Sequence, residues 1–229
     1  MFHPGVVGLF INPYYFARKD LALHIRDLAS HMTGKTLDVG CGTKPYETLC
    51  SSSHYIGLEL DSEENRAAKS ADCFYDGHRI PFEDAHFDSV LCNQVLEHVF
   101  HPDELLLEIR RILKPGGKLL ITVPFLWNEH EEPLDFARYS SYGLRYLLEK
   151  QNFEILEFRK SVKDIRVVFQ LFNLFLNQKM KTANGYLNLL LRILLLSPLN
   201  ILGELLARIT PFCENIYMDN VVLARKRGF

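Results

Sequence analysis

The sequence predicts an α/β fold built on a mostly parallel sheet, and three observations predict it. Short apolar runs that read as strands alternate with helical patterns along most of the chain, as right-handed crossover units require. The first run, in "KTLDVGCGTKPYE" from Lys35 to Glu47, reaches Asp38 near its end and is followed at once by Gly40 and Gly42. The second, "YIGLELD", ends on Glu59 and Asp61, about twenty residues downstream, where open α/β sheets place an acid against a ribose. An acid at each strand tip, with paired glycines beside the first, marks a Rossmann-like sheet that holds a ligand outside the carboxyl ends of its strands.

Taken in order, Leu21, Leu23, Ile25 and Leu28 fall at helical spacing and predict a helix from Lys19 to Met32. A strand follows over Thr36 to Val39, and Pro45, with its fixed φ and missing N–H, predicts a helix that starts there. "YIGLEL" reads as a buried strand, "DCFY" near Cys73 as a weaker one, and "FDSVLCN" from Phe87 as a third. "PDELLLEIRRILKPGG" opens on Pro102 with acids in its first turn and stops at a Pro-Gly-Gly break, so it predicts a helix, with "KLLITVPF" the next strand. "SSYGLRYLLEKQNF" is a helix, "EILEFRK" a strand, and "YMDNVVLAR" from Tyr217 the closing strand. Between the last two lies a leucine-rich interval, residues 165–211, read as a helical insertion broken at Ser197-Pro198 within one domain of residues 1–229.

The global numbers narrow the function. A chain of 229 residues with 48% apolar composition is long enough for one domain with a substantial core. A net charge of -2 and a pI near 6.5 predict no nucleic-acid partner. The five cysteines show no CxxC and no Cys/His metal spacing, so they predict reduced thiols in a cytoplasmic protein, and no residue is assigned to a metal. "GVVGLFI" near the start has neither a basic leader nor a small-residue cleavage site, and no signal peptide is expected.

The glycines carry the chemistry. Gly40 and Gly42 permit positive φ and let a ligand approach the backbone, with Cys41 between them in the same cradle. A dinucleotide fingerprint would place a third glycine where Pro45 stands, which disfavours nicotinamide or flavin. Asp38 suits a ligand with a cationic amine, and Glu59, preferred to Asp61, suits two vicinal hydroxyls.

Together "TLDVGCGTKPY", "YIGLELD" and "DGHRIPFEDAHFDSVLCNQVLEHVFHPDELLLEIRRILKPGGKLLITVPF" resemble a class I S-adenosylmethionine-dependent methyltransferase of the type-11 branch, over about Thr36 to Phe125. The resemblance implies S-adenosylmethionine as cofactor and a seven-stranded, mostly parallel sheet with helices on both faces and its last strand antiparallel. It implies that Asp38, Gly40 and Gly42 line the methionine moiety, that Glu59 binds ribose, that Asp76 and Gly77 lie beside adenine, and that Asn93 and Gln94 floor the site. His98 is read as part of a packed turn. The one departure is "TKP", where many members carry a further glycine.

The stretch "PFLWNEHEEPLDFARYSSYG" resembles a subgroup associated with bacterial cell-surface glycan assembly. It makes His130, Asp135 and Tyr139, with Arg138, candidates to hold or deprotonate a methyl acceptor, a small molecule, a glycan or a lipid-linked precursor. His130 is the first choice of base, because imidazole is the side chain that ordinarily exchanges a proton near working pH. A second reading keeps Asp135 and Arg138 as an internal pair, with Ser140 or Ser141 capping the next helix. The insertion has two readings as well: a lid or homodimer interface, or a peripheral contact with the inner face of the membrane. It is not expected to span a bilayer, since Arg192 and Glu204 interrupt it. Against an enzyme stands a non-catalytic S-adenosylmethionine-binding partner that acts through its leucine-rich face.

Overall fold

The computed structural model describes residues 4–68 and 70–228. Within them the chain divides into two compact units. One comprises Ile25–Phe125, Glu129–Arg159 and the residues from Asn220; the other comprises the N-terminal stretch to His24, Leu126–Asn128 and Lys160–Asp219.

The first unit carries a seven-stranded sheet. Its strands are β1 (Thr33–Val39), β2 (Ser51–Leu60), β3 (Cys73–Tyr75), β4 (Phe87–Asn93), β5 (Leu113–Pro124), β6 (Phe153–Lys160) and β7 (Asp219–Lys226), in the spatial order β3-β2-β1-β4-β5-β7-β6. β1 pairs in parallel with both β2 and β4, β2 with β3, and β4 with β5. The sheet is mixed, with helices on both sides, as the sequence predicts. Central strands buried on both faces must be apolar throughout, and Leu37, Val39, Val90, Cys92, Leu119 and Ile121 are fully buried. The order reverses at β1, between β2 and β4, and this is where open α/β sheets bind ligands.

Two elements of this unit depart from expectation. No helix begins at Pro45: the chain makes only a 3₁₀ turn, Glu47–Leu49, and enters β2 at Ser51. The connection is short, and Lys44 immediately before the proline takes a positive φ of 52°, so the chain turns back before a helix can nucleate. β5 also starts earlier than expected. It runs through Pro115, Gly116 and Gly117 with a register shift against β4, and a Cβ on Gly117 would lie 2.9 Å from the Lys114 carbonyl oxygen. Small residues thus let the strand continue where the pattern reads as a break.

The helices are α1 (Val6–Ile11), α2 (Tyr15–Ala29), α3 (Glu63–Ala68), α4 (Pro102–Ile112), α5 (Ser141–Lys150), α6 (Arg166–Met180), α7 (Gly185–Leu191) and α8 (Ser197–Leu206). In the second unit, α6 and α8 are joined to the N-terminal segment by side-chain amides. Asn173 donates to Asn200 at 2.7 Å, Asn200 donates to the Leu9 carbonyl at 2.9 Å, and Gln170 donates to the Pro13 carbonyl at 2.8 Å. Gly203 admits Phe16: a Cβ there would lie 2.6 Å from its ring.

The insertion itself corrects the sequence reading. The helix does not break at Ser197-Pro198, because a π-helical turn, Arg192–Leu196, joins α7 to α8 and the Ser197 N–H bonds the Arg192 carbonyl five residues back. The wider turn absorbs the ring and the missing donor of Pro198. One helix of 22 residues results, Gly185–Leu206, which by length and composition is sufficient to cross a membrane, and most of it is exposed. The helix is thus continuous where the sequence predicts a break, with Arg192 and Glu204 inside it.

Candidate functional site

The carboxyl ends of β1, β2 and β4 converge by register: Asp38 pairs with Gly57 and Leu91, and Val39 with Leu58 and Cys92. Beyond Val39 the chain hooks onto β2, with the N–H groups of Gly40 and Cys41 both donating to the Leu58 carbonyl at 2.9 and 3.2 Å. That hook requires positive φ at Gly40, 68°, and at Gly42, 50°. A Cβ on Gly40 would lie 2.4 Å from Val95, whereas one on Gly42 would meet nothing within 4 Å. Gly40 is therefore packed against protein, and Gly42 faces open space.

Two carboxylates frame that space. Glu59 accepts from the Gly42 N–H at 2.7 Å and lies 3.4 Å from the Asn65 amide. Its competitor Asp61 is gripped by Arg66 through both oxygens, which leaves Glu59 as the acid of the cradle. Asp38 is almost fully buried and accepts from the Tyr55 hydroxyl at 2.6 Å. Burial pushes its carboxyl up to about 7, against the opposing pull of the Tyr55 hydrogen bond. A buried acid of this kind becomes a stable anion once a cation arrives beside it. Burial also pushes the Cys41 thiol up to about 12, so it takes part as a small packed side chain and not as a nucleophile.

The other expected donor residues stand around the same strand ends. Asp76 accepts from the His78 and Arg79 N–H groups at 2.9 and 3.0 Å, and with Gly77 at φ 86° it fixes the turn after β3. Asn93, at the end of β4, accepts from the Thr122 hydroxyl at 2.7 Å. Residues that sequence reasoning missed complete the cradle. Tyr55 holds Asp38, and Gly57 leaves room for Cys41 and Lys44, whose atoms would lie 2.6 and 2.5 Å from a Cβ there. Asp72 accepts from the Gly57 N–H at 2.7 Å and pairs with Lys44. Only the glycine had a visible signal, since a glycine inside a strand marks close approach.

The loop after β5 is built differently. Asp135, 5% exposed, takes the Arg138 guanidinium on both oxygens at 2.6 and 2.7 Å and accepts from the His130 N–H at 2.9 Å. The guanidinium holds its carboxyl well below the usual carboxylate range. Tyr139 lies 3.3 Å from the Leu96 carbonyl, and burial pushes its phenol up to about 12. Ser140 caps α5 by accepting from the Gly143 N–H at 3.2 Å. So Asp135, Arg138 and Ser140 form the internal network that was the second reading, and Tyr139 is a poor proton acceptor. His130 is left, its ring edge-on to that of His98 with centroids 4.7 Å apart.

Comparisons with known proteins agree with this geometry. Residues 37–121 match a family described as a methyltransferase domain. The chain is 34% identical over 104 residues to the ubiquinone/menaquinone biosynthesis C-methyltransferase UbiE of Cupriavidus necator, an alignment covering 45% of this chain and 42% of that protein. Among solved structures, the [4+2]-cyclase SpnF superposes with a TM-score of 0.59 at 20% identity, covering 94% of this chain and 84% of that one. A Mesorhizobium loti S-adenosylmethionine-dependent methyltransferase superposes with a TM-score of 0.55 at 16% identity, covering 88% and 95%. At such identity the structures speak for the fold alone, and the cyclase shows that the fold does not by itself dictate the reaction.

Proposed function

We propose that the chain is a class I S-adenosylmethionine-dependent methyltransferase and that it methylates a hydroxyl of an acceptor held by the loop after β5, with a glycan or its lipid-linked precursor as the acceptor class. The observation that carries this reading is the division of the site into an anionic cradle, Asp38 and Glu59 around Gly42, and a histidine pair, His98 and His130, on separate elements.

S-adenosylmethionine is the cofactor, and when bound it supplies a methyl carbon made electrophilic by a sulfonium. Asp38 would hold its amine, Glu59 its ribose hydroxyls, and Asp76, Gly77 and Asn93 the base and the floor. The loop after β5 would hold the acceptor and exclude water. Alignment of the two reactants contributes on the order of 7–11 kcal/mol in such sites. A hydroxyl must also lose its proton, and of the loop's groups His130 suits that task, because Asp135 is committed to Arg138 and the Tyr139 phenol stays protonated.

The membrane side of the proposal rests on the second unit. Large apolar side chains, among them Tyr186, Leu190, Leu194 and Ile209, are exposed along α7 to α8 and just beyond. Residues 165–211 hold five basic residues, Arg166, Lys179, Lys181, Arg192 and Arg208, against the single acid Glu204, in a chain whose net charge is -2. Lys19 neutralises that acid at 2.7 Å. An apolar surface in a locally basic segment favours an anionic headgroup layer on the cytoplasmic face over a second acidic copy of this chain.

The test is direct. The purified chain should bind S-adenosylmethionine in calorimetry and form S-adenosylhomocysteine only when a hydroxyl acceptor is added, and it should pellet with anionic vesicles at physiological salt. Donor binding with no turnover on any soluble or lipid-linked glycan fraction would support a non-catalytic binding partner instead. A dimer that ignores vesicles would assign the apolar helices to self-association.

A further inference from the structure

Beside the loop after β5, the 3₁₀ turn Leu96–His98 brings Glu97 and His98 towards His130. Their ligand atoms all lie within 4.8 Å of one another, with His98 Nε2 3.9 Å from Glu97 Oε1. We infer that Glu97, His98 and His130 form a binding site for a divalent transition-metal ion, two imidazoles and one carboxylate, placed to activate the acceptor hydroxyl. This deepens the reading of the acceptor end and rests on it.

The ring protons argue for it first. His98 Nδ1 is 2.7 Å from the Leu134 carbonyl, which can only accept, so Nδ1 carries the proton and the lone pair of the neutral ring sits on Nε2, the atom nearest Glu97. His130 is anchored by its main-chain N–H, which donates to Asp135 at 2.9 Å, and its buried Nδ1 has no hydrogen-bond partner among the described residues. A carbonyl or carboxylate on the far nitrogen is what orients a metal-ligating histidine and raises its basicity. His98 shows it here.

Glu97 is fully buried beside His98, and Arg138 acts electrostatically on both Glu97 and Asp135. Glu131 stands at the rim, mostly exposed, with Oε2 3.7 Å from His98 Nε2, within reach as an occasional fourth ligand.

The donor set selects the ion. Imidazole nitrogens with a carboxylate suit zinc, manganese, iron or cobalt and not calcium or magnesium. Bonds of about 2.0–2.2 Å require the ligand atoms to draw in to about 3–3.5 Å from one another, a contraction that His130 and Glu131, both partly exposed, can make by side-chain rotation. With Glu131 off the ion, the three protein ligands leave a coordination position open. A cation there lowers the pKa of a hydroxyl that reaches it. The hydroxyl proton then leaves to solvent, the oxygen forms the bond to the methyl carbon, and the carbon–sulfur pair stays on sulfur. His130 serves in that case as a ligand and not as a base.

The experiment uses the full chain, freed of metal with a chelator and titrated with Co²⁺ under visible absorption, with Zn²⁺ as competitor. Ligand-field bands that saturate at one equivalent and vanish with Zn²⁺ are expected. His98→Ala and His130→Ala should each weaken binding at least tenfold. Because Glu97→Gln can disturb the fold, its thermal melt is recorded and the decision rests on His98→Ala. Absence of bands, or equal affinity in His98→Ala, overturns the metal site. Turnover that survives chelation overturns its role in activation while leaving methyl transfer standing, whereas failure of the metal-loaded chain to bind S-adenosylmethionine would strike the methyltransferase reading instead.

Discussion

The cradle at the tips of β1 and β2 and the loop after β5 solve the same problem, holding a polar group still, by opposite means. In the cradle the backbone does the holding: Gly40 and Cys41 donate to Leu58, and Gly42 donates to Glu59. In the loop side chains do it: Arg138 grips Asp135, Asp135 accepts from His130, and Ser140 caps α5. Backbone geometry at a glycine tolerates almost no substitution, whereas a side-chain network can be rebuilt around other residues. The donor end should therefore be brittle and the acceptor end adjustable, as a fold that serves many acceptors requires.

The sharpest test of brittleness is Gly40→Val. A branched residue must adopt φ 68° and place its Cβ 2.4 Å from Val95, so left-handed strain of about 1–2 kcal/mol adds to overpacking of about 1–3 kcal/mol. Loss of measurable S-adenosylmethionine binding in calorimetry, with a lowered Tm, is expected. A folded variant with parental affinity would place the cradle elsewhere.

His130→Ala probes the other end, and the two effects should separate. Turnover should fall about 10²–10⁴-fold, the usual worth of a positioned proton acceptor, while donor affinity stays within twofold or so of the parent, as independent sites require. If donor affinity falls with turnover, the two regions are one site and the contrast fails.

How much of this was legible follows the same contrast. Asp38, Gly40, Gly42 and Glu59 announce themselves because their signals are local: glycines after a strand, an acid at a strand tip. Tyr55, Asp72 and Val95 do not, since each acts across the sheet on a residue far away in sequence. The missing helix at Pro45 and the unbroken one at Pro198 show that proline constrains φ and a donor but leaves the outcome to its surroundings, a short connection in one case and a π turn in the other. His98 reads as part of a packed turn and lies in one, Leu96–His98, but nothing in "LEHV" reveals the His130 ring from the loop after β5 beside it.

A smaller, pH-dependent effect follows from Asp38. Its carboxyl titrates near 7 in the folded chain, so between the ordinary carboxyl range and that value the native state holds a proton that the unfolded state has released. The contribution of this group to stability therefore falls as pH rises through that window and is constant above it. Donor binding runs the other way, because a cationic amine favours the carboxylate. Affinity should climb by up to about tenfold per pH unit from 5 towards 7 and then level off. Tyr55→Phe removes a hydrogen bond to the anion and should move the plateau to higher pH. A flat profile in calorimetry would detach Asp38 from the donor's amine.

The smallest expected effect is the one that tests adjustability. Ser140 accepts from the Gly143 N–H and starts α5, directly after Tyr139. Ser140→Ala removes one cap, which costs about 1 kcal/mol and lowers Tm by about 2–4 °C in a chain of this size. Asp135 and Arg138 remain paired, so the position of His130 should hold and turnover should change less than about threefold, a difference below 1 kcal/mol. Thermal denaturation and steady-state rates on the same preparation decide it. If turnover instead drops tenfold or more at unchanged donor affinity, the start of α5 fixes the acceptor end as rigidly as glycine fixes the donor end, and the two regions differ in their materials but not in their tolerance.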